Sequence, residues 1–314
     1  MKIENCIPLN LRRRIAANTV ALFGEADYPL AKSLDYRGDP GLFGPGSATW
    51  EIIGDVSVMV GGIRALLVQA AHPEVVAGVA DHSSYEHDPL GRLSRTTSYV
   101  TSTAYGAMPE VEAALDAVRA AHRNVTGISH RGRTYSAGSG SGASWVHNVL
   151  TDSFLTASSV FGQHALTAAR ADQFAREQAS LGELLHAPEL PVTRDDLALW
   201  IDSHPDIEPS PGMADAVVFL TRPPLPRSAL GPYRVLFSAA AATLPPRVAA
   251  VLGVHSYPGA VSAARRLISL LRWSIGASPS WWLALERVGE RPPDGIHFRY
   301  PPPVDGVESL FTRS

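Results

Sequence analysis

The stretch from Ile52 to Ala71, IIGDVSVMVGGIRALLVQAA, constrains this chain more than any other. It is apolar on nearly every side and about long enough to cross a bilayer. Within it, however, stand Asp55 and Arg64, whose charges are costly in lipid. The alternative is a buried central helix that ends before Pro73, because proline lacks the N–H a helix needs and clashes with the preceding turn. A short helix over Glu74 to Ala80 is expected after it. The pair Gly61 and Gly62 lets another helix, or a flat ligand, come close to the backbone, and close helix packing is the commoner use.

A helix buried all round needs a shell of other helices, and the periodicity supplies them. Pro89 precedes a helix from about Leu90 to Tyr105. Residues 111–127 follow with Val111, Leu115, Val118, His122 and Val125 on one face and Gly127 as the stop. A glycine and serine loop then leads into a helix with His147, Leu150, Phe154, Ala157 and Phe161 on one stripe. Leu166 to Leu185 and a short helix capped by Thr193 come next. From residue 204 prolines separate further apolar segments, MADAVVFL, YRVLFSAAAATL and AVSAARRLISLLRWSIGA, and the tail is expected to be extended. No strand alternation of useful length and no linker interrupts the pattern. The expectation is one all-α domain over residues 1–314, a helical bundle with its motifs between 45 and 185 and a proline-rich helical remainder over 186–314.

Composition removes several classes of function. Of the 314 residues 45% are hydrophobic and 18% charged, the net charge is -3, and lysine occurs only at Lys2 and Lys32. Nucleic acid is therefore not an expected partner. Cys6 is the single cysteine, so disulfides, CxxC chemistry and covalent haem attachment are excluded within the chain. A lone cysteine fits a cytoplasmic setting. The arginines near the N-terminus precede too short an apolar run for a signal peptide, so none is expected, nor is a transmembrane segment. GSGSG lacks the strand and sharp turn of a nucleophile elbow. No HExxH motif occurs, although a non-haem metal site drawing on His72, His82, His87 or His147 stays open. His72, next to Pro73, reads as a capping or supporting residue.

His122 interrupts an apolar stripe, and the pattern alone favours a core imidazole over a ligand. Its context shifts the weighting. Arg92, Arg95, Thr96 and Tyr99 fall on one side of the preceding helix, and Arg119 and Arg123 flank His122. An imidazole on a slim, alanine-rich helix with arginines at the rim supplies the parts of a b-type haem site. His147, on a second apolar stripe, is the rival ligand.

Four segments in order, GGIRALLVQAAHPEVVAGVADHS, DPLGRLSRTTSYV, VRAAHRNVTG and WVHNVLTDSFL, resemble the oxygenase family that includes the bacterial latex-clearing proteins and the fungal MpaB-type enzymes, long catalogued as a domain of unknown function. The resemblance implies a globin-like bundle holding one non-covalent haem b, with iron, per chain. It puts His122 at the proximal ligand and Arg92 and Thr96 beside the haem, and it places Arg95 where latex-clearing enzymes carry a lysine that caps the iron. Arginine stays protonated and has no lone pair to donate, so that closed state is not expected here. A second departure is AGSGSGASW, where relatives commonly start a helix with Asp-Pro. The implied roles follow. His122 binds iron, Arg119 pairs with a propionate, His147 contacts the cofactor, and Arg92, Arg95 and Thr96 act on dioxygen or position an apolar or isoprenoid-like substrate. An electron donor is not specified. A haem sensor or carrier without turnover, or a non-haem metal enzyme, is the alternative.

Overall fold

The computed structural model describes residues 29–83, 89–138 and 140–292, with the backbone alone for 89–93. The side chain of Arg92, the loop around His87, the N-terminal arginines and most of the proline-rich tail lie outside the described residues. Thirteen α-helices, one short 3-10 helix (Ser33–Tyr36) and one small hairpin are the regular elements of the described part, so the all-α expectation holds.

The expected long central helix is two helices, α1 (Ala48–Gly54) and α2 (Val58–Ala70). Asp55 breaks it. Its Oδ1 accepts the Ser57 N–H at 2.8 Å, an Asx-type turn that competes with helical bonding, while Arg272 grips both carboxylate oxygens at 2.7 and 2.8 Å. Ser47 caps α1, and Glu177 accepts the first two helical N–H groups, of Ala48 and Thr49, at 3.1 and 2.7 Å.

α2 runs through the centre, packed on α6 (Gly140–Phe161), which absorbs much of the sequence's glycine and serine loop. Gly61 makes this closeness possible: a Cβ there would stand 2.7 Å from Phe154 Cδ1 and 3.1 Å from the Ser153 carbonyl oxygen. Gly62 faces open space. Gly61→Ala is therefore expected to lose about 1–3 kcal/mol through overpacking, and Gly62→Ala to gain up to about 1 kcal/mol from helix propensity. Opposite shifts of the urea midpoint in the two variants check this.

Arg64, buried to 2%, ties the same pair of helices. Its guanidinium meets Asp152 at 2.6 Å, Ser153 Oγ at 2.8 Å and the Thr243 carbonyl at 3.1 Å. The main core gathers around α2 and α6 with α9 (Pro211–Thr221), α10 (Arg227–Ala242), α11 (Pro246–Leu252) and α12 (Ala260–Ile275). The segment after residue 204 is thus core and not appendage. A second cluster joins α1, α6, α4 (Pro89–Tyr105), α7 (Ala168–Leu184) and α13 (Pro279–Val288).

α5 (Met108–His122) stops at His122, five residues before the expected Gly127. Asn124, Val125 and Thr126 lead instead into an antiparallel pair, β1 (Thr126–Ile128) and β2 (Thr134–Ser136), with Gly127 opposite Tyr135. The Tyr135 ring occupies the space a Gly127 side chain would fill, and its hydroxyl donates to Asp81 of α3 (Pro73–His82). The tertiary partner, not the helical period, decides this segment.

Candidate functional site

α4 and α5 form an antiparallel hairpin across Gly106 and Ala107. The Glu110 carboxylate accepts the Ala107 N–H at 2.8 Å, and Asp39 accepts the Met108 N–H at 2.9 Å, so the start of α5 is satisfied. Thr96 lies nine residues before Tyr105, and Arg119 eleven after Met108. At 1.5 Å per residue both sit roughly 15 Å from the turn. The hairpin thereby brings Arg92, Arg95 and Thr96 of α4 to the same open end as Arg119 and His122 of α5.

Arg95, Thr96 and His122 are exposed. The apolar stripe of α5 is buried at Val111 and Leu115 and fades outward, so His122 stands at a rim and not in a core. Desolvation by the nearby chain still draws its pKa below 6.5, which leaves a neutral imidazole at pH 7. Arg119 reaches across to α7, donating to the Leu184 carbonyl at 2.6 Å while pairing with Asp116 at 2.8 Å.

From this rim the α4 stripe runs inward through Tyr99 to Thr103. Those two, with Thr49, His147, Phe154 and Gln178, line a narrow cleft between α1, α4, α6 and α7 whose free volume is only about 20 Å³. His147 is buried to 6%, and its Nε2–H donates to the Gln178 carbonyl at 2.7 Å. α7 approaches so closely that a Cβ on Gly182 would lie 3.0 Å from the His147 ring. One ring nitrogen is thus engaged with backbone, so a ligand role would fall to Nδ1. The hydroxyl of Tyr99 differs: it is buried and has no hydrogen-bond partner, and burial pushes its pKa up, so it remains a phenol.

Burial lowers the His147 pKa to about 4. Between pH 6.5 and about 4 the unfolded chain takes a proton that the folded ring refuses, so stability present above 6.5 falls with pH across that window. The loss is roughly 3 kcal/mol for this ring, and denaturant titrations at pH 7 and 4.5 measure it together with that of His72, whose pKa is likewise lowered to about 4.

Sequence reasoning missed one constellation. His72, His204 and Asp206 place ligand atoms within 4.8 Å of one another. His72 is the residue before α3 as expected, but its side chain makes no cap bond. The available signal was that both histidines precede a proline, which holds the preceding backbone extended; His72 has φ -103° and ψ 110°.

Comparison with protein families matches residues 50–273 to the one described as ER-bound oxygenase mpaB/B'/Rubber oxygenase, catalytic domain. The chain belongs to this oxygenase family. The match takes in the α4–α5 hairpin, the cleft and the proline-punctuated helices through most of α12, well beyond the 45–185 core of the sequence motifs. Comparison with curated proteins and with solved structures gives no match. As an mpaB/rubber oxygenase family member the protein is an enzyme that uses dioxygen on an organic substrate. No described helix is long and apolar enough to cross a membrane.

For a haem, the residues present fit in kind. They offer an imidazole at His122 whose pKa burial lowers, Arg95 and Arg119 at the same end of the hairpin, and a narrow, half-apolar cleft containing an unsatisfied hydroxyl.

Proposed function

We propose that this family member is a haem b-dependent oxygenase acting on an apolar substrate, in a cytoplasmic setting suggested by its lone cysteine. The observation that carries the reading is the hairpin, which sets Arg92 about level with His122, and Arg95 and Thr96 about level with Arg119, inside the family's matched region.

His122 would hold the iron, as the resemblance implies, through a ring nitrogen that is unprotonated at pH 7. Arg119 would turn from the Leu184 carbonyl to a propionate, exchanging a neutral acceptor for an anionic one. Haem supplies the dioxygen chemistry when bound. Arg95 and Thr96 bring a fixed cation and a hydroxyl to the place where negative charge develops, and Arg92 shares their helix. Arg95 cannot itself cap the iron, because a guanidinium has no donor pair to offer. The cleft is lined half by apolar side chains, Ile53, Val100, Ala104, Leu150, Phe154 and Leu181, and these would face a largely apolar substrate once the cleft widens.

The cleft is small beside a tetrapyrrole, so uptake requires the open end of the hairpin to part from α7. Little opposes that movement. The packing there is Val111, Leu115 and Leu181, and beyond Leu115 the helix is mostly exposed.

Tyr99 gives a test that separates cofactor contact from fold. Tyr99→Phe removes a buried hydroxyl with no partner and is expected to leave stability unchanged or raise it by about 1 kcal/mol, while altering the Soret maximum or the rate of oxygen uptake. Turnover itself is tested by oxygen consumption of the haemin-reconstituted protein with a panel of terpenoid and polyisoprenoid oligomers. Uptake that depends on one of these supports the proposal, and a haem protein inert to all, with no product formed, contradicts it.

A further inference from the structure

Trp145 and His147 are two residues apart on α6 and leave it on nearly opposite sides. His147 faces the cleft, whereas Trp145 lies against His204 and His72 with tilted rings, at ring distances of 4.7 and 5.4 Å. Trp200 of α8 (Arg194–Asp202) closes the group, 4.8 Å from His204. We propose that His72, His204 and Asp206 bind a d-block dication of the zinc or ferrous-iron class, at a site separate from the cleft. Neither haem nor His122 enters the argument, so it stands independently of the proposed oxygenase chemistry.

The donor atoms are already gathered, all within 4.8 Å of one another. A metal bound at about 2.0–2.2 Å from each holds them about 3.0–3.4 Å apart, a contraction that side-chain rotation supplies. His72 is buried to 6%, and its Nδ1 has no hydrogen-bond partner. The nearest carboxylate oxygen, Glu74 Oε2, is 3.5 Å away. A buried ring nitrogen with no partner, beside a second imidazole and a carboxylate, is a lone pair with a use.

The supporting structure is fixed. The Glu208 N–H donates to the Ala71 carbonyl at 3.1 Å, pinning the 204–208 loop to the chain just before His72. Arg247 holds the Asp202 and His204 carbonyls at 2.9 and 3.1 Å. The Asp206 N–H reaches His204 Nδ1 at 3.3 Å, and a metal at Nδ1 displaces only this long bond. Arg131 and Arg133 contact the Asp206 carboxylate at 3.2 and 2.6 Å, both on Oδ1, which leaves Oδ2 to offer. Such outer contacts orient a ligand carboxylate.

Charge and protonation agree. Burial, then the neighbouring His204, lowers the His72 pKa to about 4, and burial also lowers that of His204. Against its own desolvation, Arg133, His72 and Arg131 hold the Asp206 carboxyl below its ordinary value. At pH 7 the donors are two neutral imidazoles and one carboxylate, so no proton has to leave first. Glu74, Glu189, Asp206 and Glu208 outnumber Arg131, Arg133 and Arg247 around them. Two nitrogens and one oxygen suit zinc or ferrous iron, while calcium and magnesium ask for oxygen throughout. Three protein ligands leave coordination positions open on the side where His204 and Asp206 are partly exposed.

The test is equilibrium dialysis of the chelator-stripped full chain against micromolar zinc, with metal counted by mass spectrometry. One zinc per chain beyond any haem iron is expected. His204→Phe, which keeps an aromatic ring against Trp145 and Trp200, and Asp206→Asn, which keeps an oxygen for the arginines, should each weaken retention about a hundredfold. His122→Ala should retain the zinc, so failure here and failure of the haem reading are distinguishable. A folded wild-type chain that retains no zinc overturns the proposal. So does retention equal to wild type in either folded variant, and because the two act through different groups, misfolding of one leaves the other decisive.

Discussion

His122→Ala is expected to give a colourless protein with an unchanged fold. Haem retention should fall about a hundredfold or more, since each tenfold corresponds to about 1.4 kcal/mol and an iron bond is removed. The circular dichroism spectrum should not move, because His122 is exposed at the last position of α5 and contributes no core packing. The combination is informative because the rival histidine behaves in the opposite way. His147→Ala deletes a buried ring and its bond to the Gln178 carbonyl, so it should cost about 2–4 kcal/mol of stability and yet keep the Soret band in whatever fraction stays folded. Absorbance per folded chain in the two variants decides between them. A Soret band that survives in His122→Ala and vanishes in a folded His147→Ala assigns the iron to α6.

Arg64→Ala is expected to be the most damaging single change to stability, about 3–5 kcal/mol, since it leaves Asp152 in the core without its counter-charge. The penalty comes from the carboxylate left behind and not from the attraction lost. An Arg64→Leu, Asp152→Leu double variant should therefore recover most of it. Urea unfolding of the wild type, the single variant and the double variant measures both terms. A single variant within about 0.5 kcal/mol of wild type would show the pair to be dispensable.

Most of the helices were legible because their apolar faces repeat at helical spacing. The stripe of His147, Phe154, Ala157 and Phe161 is buried as its pattern requires, and Thr167, Thr193 and Ser210 cap helices as their residue type suggests. What could not be read depends on partners far away in sequence. Asp55 ends α1 because Arg272, more than two hundred residues on, grips it. Tyr135 turns residues 126–128 from helix to strand by lying against Gly127. Arg287 is buried beside Ser33 and the Tyr105 carbonyl, contacts no local pattern encodes.

The candidate site divides the same way. Spacing placed Arg95, Thr96 and Tyr99 on one side of α4, and the short turn at Gly106 carries Arg95 and Thr96 to the same end of the hairpin as Arg119 and His122. Periodicity misjudged the depth of His122, because a stripe says which face a residue occupies but not whether the partner helix extends that far. His204 and Asp206 were invisible for a related reason: they sit in a loop whose position is set by the Glu208 to Ala71 hydrogen bond and by Arg131.

The most direct measurement is the pyridine haemochrome spectrum of the full chain, purified after expression with a haem precursor, alongside its iron content. One haem b per chain, lost in His122→Ala and kept when Asp206 is replaced, is the expected result. A folded protein that stays colourless after reconstitution with haemin, with no iron bound, would contradict the haem assignment at its root.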